Sequence, residues 1–392
     1  MILTNVVPYP PYGGVHLRVF HLLKRVARKH EVTLGCHAWC EAEVESAAQL
    51  SHFGIRTVTG LLTVGSWRHF GPAVKAALSG IPPEVVQYQA PALHSLIRHE
   101  HFDIVQMEET LLAPYADSIP KGARTKTVLT FHNVHFLQTK RIAGIENALW
   151  KRLWQNLNAK FMRRYEPALA ERFDRSIAVS EVDRRLLVNA TPGLKVTVIP
   201  NGVDTRELTC LPAPEEMGSV LFVGTLSYRP CIDGAVWLVR EILPILRSQI
   251  PNVEIWIVGS GATSEVEALA GEGVFVTGRV TDIRPYYQRA TLATAPLRAG
   301  GGSRLKILEA MALGRPVVST TIGAEGLDVP AESIVIADGA EQFAHAIARV
   351  LTDTALWHSL ARNARRFVED HHDWEDLAEK QLQIYEDLSA AT

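Results

Sequence analysis

Short apolar runs, each closed by glycine or small polar residues and followed by a stretch of helical spacing, recur along this chain. The runs over 2–7, 31–36, 103–107, 125–131, 174–180 and 195–200 have the length and β-branched content of buried strands. After the first of them, Val15, Val19, Leu22, Leu23 and Val26 fall on one stripe of a helix predicted over 15–29. A second series, over 220–224, 253–258, 274–278 and 291–296, ends strand after strand in glycine-rich or small loops, and Pro316 opens a further strand over 317–320. Helical spacing then dominates over 341–351, 354–369 and 374–388. The region 41–101 is hard to read, with 67–72 and 81–84 expected as loops or short helices. Strands alternating with helices predict parallel sheets. Two such series, divided near the linker-like Pro212-Ala-Pro-Glu-Glu216, predict two doubly wound domains with a cleft between them. Their expected bounds are 1–195 and 196–370, with a last helix over 371–392 packing back on the first domain.

The stretch from Pro296 to Gly326 is the most informative. After a strand come Gly300, Gly301 and Gly302, then Ser303 as N-cap of a helix predicted over 304–313, with Gly314 as its stop. Exposed N–H groups at such a loop and helix start favour an anion, and Arg304 and Lys306 add positive charge. Glu309 lies among apolar neighbours, where a half-buried carboxylate needs partners such as the hydroxyls of a ribose. The plainer reading is an ordinary core helix in which Glu309 meets a lysine. Gly13-Gly14 follows the first strand, where doubly wound sheets bind ligands, although a tight turn explains it equally well. His132 follows the strand over 125–131 and is a candidate for the same edge; Glu108 and Glu109 follow the strand over 103–107. Ser180 and Asp282 are expected as N-caps, and a helix is expected from Asp233.

Composition narrows the classes. At 392 residues, 47% hydrophobic and 21% charged, the chain is long enough for two globular domains. No apolar run approaches a membrane span, and the first residues read as a strand, not a signal peptide. Cys36, Cys40, Cys210 and Cys231 have no metal-ligand spacing, so a cytoplasmic protein is expected. The net charge of −2 hides an asymmetry: residues 1–190 carry 23 Lys+Arg against 16 Asp+Glu, and the remainder 17 against 26. A basic first half suits an acidic acceptor or the anionic inner face of a membrane, while nucleic acid is not expected as a partner. For the basic and aromatic stretch over 150–173 two readings exist, a membrane-surface helix or aromatics turned to the core; the second is the expected one.

Taken together, these residues resemble retaining glycosyltransferases of the GT-B fold, in glycosyltransferase family 4. The resemblance rests on Pro11-Tyr-Gly13-Gly14, Phe131-His132-Asn133, Val179-Ser180, Val198-Ile-Pro-Asn201-Gly202-Val-Asp204, Phe222-Val-Gly224-Thr-Leu and the stretch from Gly300 to Gly326. It implies an α/β fold of two Rossmann-like domains and transfer of a sugar from a nucleoside-diphosphate sugar to a hydroxyl acceptor, saccharide or lipid-linked, in making cell-surface polysaccharide or glycoconjugate. It implies that Gly13 and Gly14 approach the donor phosphates and that His132 assists at the reacting centre. Gly224 and Arg229 are implied on the diphosphate side, Arg279 and Val280 beside the base, Gly301, Gly302 and Ser303 facing sugar and phosphates, and Glu309 on the ribose. No cofactor or metal is implied, and the chain has no Asp-x-Asp pair. It departs from the family twice. Gly301 stands where many members carry the first of two glutamates, and the second half of a basic pair after Gly224 falls near Asp233. Arg304 and Lys306 are the candidates to supply that charge. A GT-B sugar-nucleotide epimerase and a nonenzymatic sugar or nucleotide binder are the alternatives.

Overall fold

In a computed structural model that describes residues 1–62, 82, 84–146, 148–301 and 304–390, the apolar runs form two wholly parallel sheets. The expectations for 67–72 and Ile81, and those for Gly302 and Ser303, lie outside the described residues. The chain groups into two units: 1–140, 153–200 and Glu375 onward in the first, 141–152 and 201–374 in the second.

The first unit carries β1 (Ile2–Thr4), β2 (Val32–Ala38), β3 (Ile55–Leu61), β4 (Ile104–Met107), β5 (Lys126–Phe131), β6 (Arg175–Ala178) and β7 (Val196–Val198). Their order is β3-β2-β1-β4-β5-β6-β7, so the winding reverses between β1 and β4. Alternation along a strand feeds two cores: Ile2 joins Leu23 and Leu34 on one face, and Leu3 joins Met107 and Leu129 on the other. The helix Trp374–Ala390 sends Leu382 and Tyr385 into the first of these cores, and Lys29 and Glu379 pair at 2.9 Å on its outer side. β3 was not legible in the sequence. It is an edge strand, half-exposed over Thr57 to Thr59, and so lacks the continuous apolar run of its neighbours.

The second unit carries β8 (Ser219–Val223), β9 (Glu254–Val258), β10 (Val274–Val276), β11 (Leu292–Ala295), β12 (Val317–Ser319) and β13 (Val335–Ile336). The order β10-β9-β8-β11-β12-β13 puts its reversal between β8 and β11. Backbones approach closely there: a Cβ on Gly259 would lie 1.7 Å from the Gly224 carbonyl oxygen, so only glycine fits.

Three expectations are corrected. The helix expected from Asp233 already starts at Arg229 and runs Arg229–Trp237, with Pro230 in its first turn. Asp282 is not the N-cap itself; Ile283 is, and the Asp282 carboxylate accepts the Arg284 N–H at 2.9 Å from one residue further out. The helix Leu149–Ala170 does not turn its leading aromatics to the core, since Trp150 and Trp154 are 70% and 53% exposed. Ser180 caps as expected, accepting the Asp183 N–H at 3.0 Å.

Candidate functional site

In the first unit the reversal point gathers the loops after β1, β4 and β5. Gly13, with φ of +99°, is the N-cap of the helix Gly14–Val26, and no side chain among the described residues caps that helix start. Gly13 and Gly14 are exposed, and a Cβ at Gly13 would meet nothing within 4 Å, so this glycine serves backbone conformation more than close packing. One turn further on, Arg18 is buried and donates to the Pro200 carbonyl at 2.8 Å. Glu108 directly follows β4 and His132 directly follows β5, both buried, with His132 Nε2 and Glu108 Oε2 2.8 Å apart but out of hydrogen-bonding alignment. Burial pushes the Glu108 carboxyl up, yet His132, Arg18 and Gln106 outweigh it and hold it below the usual carboxylate range. Behind this pair runs a chain of hydrogen bonds. Gln106 Nε2 donates to Glu108, the Tyr385 hydroxyl donates to Gln106 Oε1 at 2.6 Å, and Gln381 Nε2 donates to Tyr385 at 2.7 Å. A second pair, His135 with Glu109 at 2.9 Å, lies beside it. Glu166 accepts the N–H groups of His135 and Phe136, both at 3.1 Å, and so caps the helix His135–Gly144.

In the second unit the loops after β8 and β11 meet at the reversal point. Gly224 lies so near Lys306 that an added Cβ would be 2.9 Å from its Nζ, and equally close to Cys231 Sγ. The Lys306 ammonium also stands 4.8 Å over the Phe222 ring. Gly300, with φ of +123°, lies against the Arg304 guanidinium, which donates through Nη1 to the Gly301 carbonyl. Arg304 is buried, and its Nε and Nη2 have no hydrogen-bond partner among the described residues. Burial lowers its pKa, against weaker opposite pulls from Tyr228, Cys231 and Glu325. Arg141 ties the same loop from the other side, donating to the Gly300 carbonyl at 3.1 Å and pairing in bidentate fashion with Glu325. A buried guanidinium with unused donors beside an ammonium and a glycine loop is a site built for an oxyanion.

The remaining candidates are more dispersed. Arg229 opens its helix and pairs with Glu265 at 3.3 Å, and it also donates to the Ile145 carbonyl at 3.2 Å. Asp233 is held bidentately by Arg298, at 2.7 and 2.9 Å, so the acidic residue in the basic-pair position is neutralised internally. Arg279 is exposed and Val280 half-buried, beyond β10 at the edge of the sheet. The helix after the glycine loop is Leu305–Ala312, one residue shorter at each end than expected. Glu309 is half-buried on it, and its carboxylate has no hydrogen bond among the described residues. Burial pushes its carboxyl up to about 7, against a smaller pull from Lys306.

That shift has a sign that can be measured. The folded protein holds the Glu309 proton more tightly than the unfolded chain does, so this group lowers stability as pH rises from about 4.5 through about 7. Glu309→Gln is therefore expected to melt above the parent at about pH 8, with the gain shrinking toward about pH 4. Glu166, which burial also raises to about 7, is present in both proteins and cancels in the comparison. A gain that does not vary with pH would mean that the Glu309 carboxylate is already partnered.

Sequence reasoning missed Arg18, Gln106 and Tyr385. Arg18 carried a signal, since it lies four residues before Leu22 on the buried stripe of its helix. Gln106 and Tyr385 carried none, because their meeting joins residues 279 positions apart.

Comparison with known proteins bears on this arrangement. Residues 12–207 match the profile described as Glycosyltransferase Family 4, and residues 218–353 that of Glycosyl transferases group 1. A phosphatidyl-myo-inositol mannosyltransferase of Mycolicibacterium smegmatis is 28% identical over 317 residues, covering 77% of this chain and 76% of that protein. Among solved structures, sucrose-phosphate synthase from Thermosynechococcus elongatus superposes with a TM-score of 0.74 at 20% identity, covering 100% of this chain and 99% of that one. Anabaena Alr3699/HepE, in complex with UDP and glucose, gives 0.69 at 19% identity, with 99% and 98% covered. These likenesses bear out the GT-B fold of two Rossmann-like domains.

Proposed function

The chain belongs to glycosyltransferase family 4 and is a glycosyltransferase, and from that premise we propose that it transfers a hexosyl group from a nucleoside-diphosphate sugar to a hydroxyl acceptor with retention at the anomeric carbon. The observation that carries the donor class is Arg304, buried at the glycine loop beside Lys306 and Gly224 with two donor nitrogens unused among the described residues. A diphosphate supplies the oxyanions that such a site lacks. The bond from the anomeric carbon to the diphosphate oxygen breaks, the acceptor oxygen bonds to that carbon, and the acceptor proton leaves with the departing phosphate. Charge builds on the diphosphate oxygens in the transition state, so fixed cations there are the main catalytic contribution. Arg304 and Lys306 supply it without a metal, and no side chain is assigned as nucleophile. Gly301, Gly302 and Ser303 are assigned to phosphate and sugar, and Arg229 to the diphosphate side.

Glu309, whose carboxylate needs partners, takes the ribose hydroxyls, with Arg279 and Val280 beside the base. In the first unit, His132 stabilises positive charge at the sugar, and Gly13 and Gly14 offer backbone N–H groups to the donor. The nucleoside diphosphate is supported by Alr3699/HepE, whose structure holds UDP. A lipid-linked acceptor, and with it a role in cell-surface glycoconjugate synthesis, is supported by the relative that mannosylates a phosphatidyl-inositol.

A thermal-shift panel of UDP, GDP, dTDP, ADP and CMP, each with and without EDTA, tests this reading. One nucleoside diphosphate is expected to stabilise the protein regardless of EDTA, and Glu309→Ala to weaken it about tenfold. No shift from any nucleotide would sink the donor assignment, and a shift abolished by EDTA would sink metal independence. The anomeric configuration of the product, read by proton NMR, decides retention.

A further inference from the structure

The helix Leu149–Ala170 has two apolar faces, and only one is used by the fold. At about 100° per residue, Leu149, Trp150, Leu153, Trp154, Leu157 and Phe161 lie within an arc of about 140°. The first buried positions of the helix, Ala159, Met162 and Glu166, lie in a narrower arc on roughly the opposite side. The leading stripe is therefore not the core face running out past the end of the core. Leu149, Leu153 and Leu157 are 75%, 71% and 49% exposed, and both tryptophans of the stripe stand in solvent. Large apolar side chains grouped in this way on a surface call for a partner.

The charge on the same helix says which one. From Leu149 to Tyr165 there is no acidic residue, but there are five basic ones, Lys151, Arg152, Lys160, Arg163 and Arg164. All five are exposed. Lys160 and Arg164 continue the apolar stripe one turn beyond Leu157, and the Lys151 Nζ stands 5.5 Å from the Trp150 ring. Glu166, the next acid, is buried and committed to capping the helix His135–Gly144. Two such faces brought together would set Lys160, Arg163 and Arg164 against the same three cations of the other copy, which disfavours a second copy as the occupant. Tryptophan and leucine beside lysine and arginine suit a headgroup layer, with rings at the acyl boundary and cations at the phosphates.

We propose that the first half of this helix docks the protein on an anionic lipid bilayer, lying in the interface with Trp150 and Trp154 inserted and Lys160, Arg163 and Arg164 on the headgroups. No helix among the described residues is long and apolar enough to cross a membrane. The inference does not depend on the donor chemistry.

Co-sedimentation of the full chain with lipid vesicles tests it. Equimolar phosphatidylcholine and phosphatidylglycerol vesicles are expected to bind at least about tenfold more protein than phosphatidylcholine alone, with the excess falling as salt is raised. The double variant Trp150→Ala, Trp154→Ala is expected to lose about tenfold in binding with an unchanged melting temperature. Lys160→Glu with Arg164→Glu is expected to remove the preference for anionic vesicles. Three results would overturn the proposal: no binding to anionic vesicles, parental binding by the tryptophan variant, or a concentration-dependent dimer that the tryptophan variant makes monomeric. The last would assign the face to a second copy.

Discussion

Arg304→Ala is expected to lower kcat by about 10- to 100-fold while leaving the protein folded and no less stable. One charge-assisted hydrogen bond is worth about 1.5–3 kcal/mol, which as a barrier change gives a factor in that range. The stability side follows from the same side chain. Arg304 is buried with Nε and Nη2 unpartnered among the described residues, so the folded protein bears the cost of desolvating a guanidinium without full compensation from them. Arg304→Met fills similar volume without charge and is expected to raise the melting temperature by a few degrees while activity falls. Opposite movement of stability and turnover is the signature of a group held in place for an anion. If turnover stays near normal in Arg304→Ala, the residue is structural; if both variants melt lower, its unused nitrogens already find partners in solution.

His132→Ala carries the second large effect, and it acts on stability as well as rate. Among the described residues, the Glu108 carboxylate, buried 2.8 Å from His132, would keep Arg18, Gln106 and Thr130 to stabilise its charge. Leaving one member of a buried pair uncompensated costs about 3–5 kcal/mol. The parent gains from this group above the ordinary carboxylate pKa, because the folded protein holds Glu108 ionised; that gain is lost as pH falls through the lowered folded-state pKa. In His132→Ala burial dominates, so Glu108 takes up a proton more readily, and the deficit relative to the parent should shrink as pH falls. Adding Glu108→Gln to His132→Ala is expected to recover part of the lost melting temperature. Turnover should fall about 100-fold in both variants, since the imidazole is gone from each. Glu108→Gln alone separates the roles, because it keeps the imidazole but not its anionic partner. A positioning residue then lowers kcat and shifts the pH profile with little change in the donor KM, whereas a purely structural one lowers only the melting temperature. Full activity in His132→Ala would remove His132 from the site.

Local patterns in the chain were enough to place nearly every strand that carries a candidate residue. A buried parallel strand is a continuous apolar run, and the glycines after β8 and β11 mark the ends where loops must turn tightly or approach a ligand. The anion-binding character of the stretch around Arg304 was legible for the same reason, since loop, helix start and cations are adjacent in sequence. Pairing was not legible. Glu108 and His132 follow different strands, Asp233 and Arg298 stand 65 positions apart, and nothing in their local spacing marks either pair as partners. The stripe from Leu149 to Leu157 shows most clearly why. Its spacing is that of any core-facing helix, because periodicity reports that a face is apolar but not what covers it. Only the packing of Ala159 and Met162 against the first unit turns that stripe to solvent, and with it reverses the expected orientation of Trp150 and Trp154. Short-range chemistry is written in neighbouring residues; burial and partnership depend on chain segments that meet only when the sheets assemble.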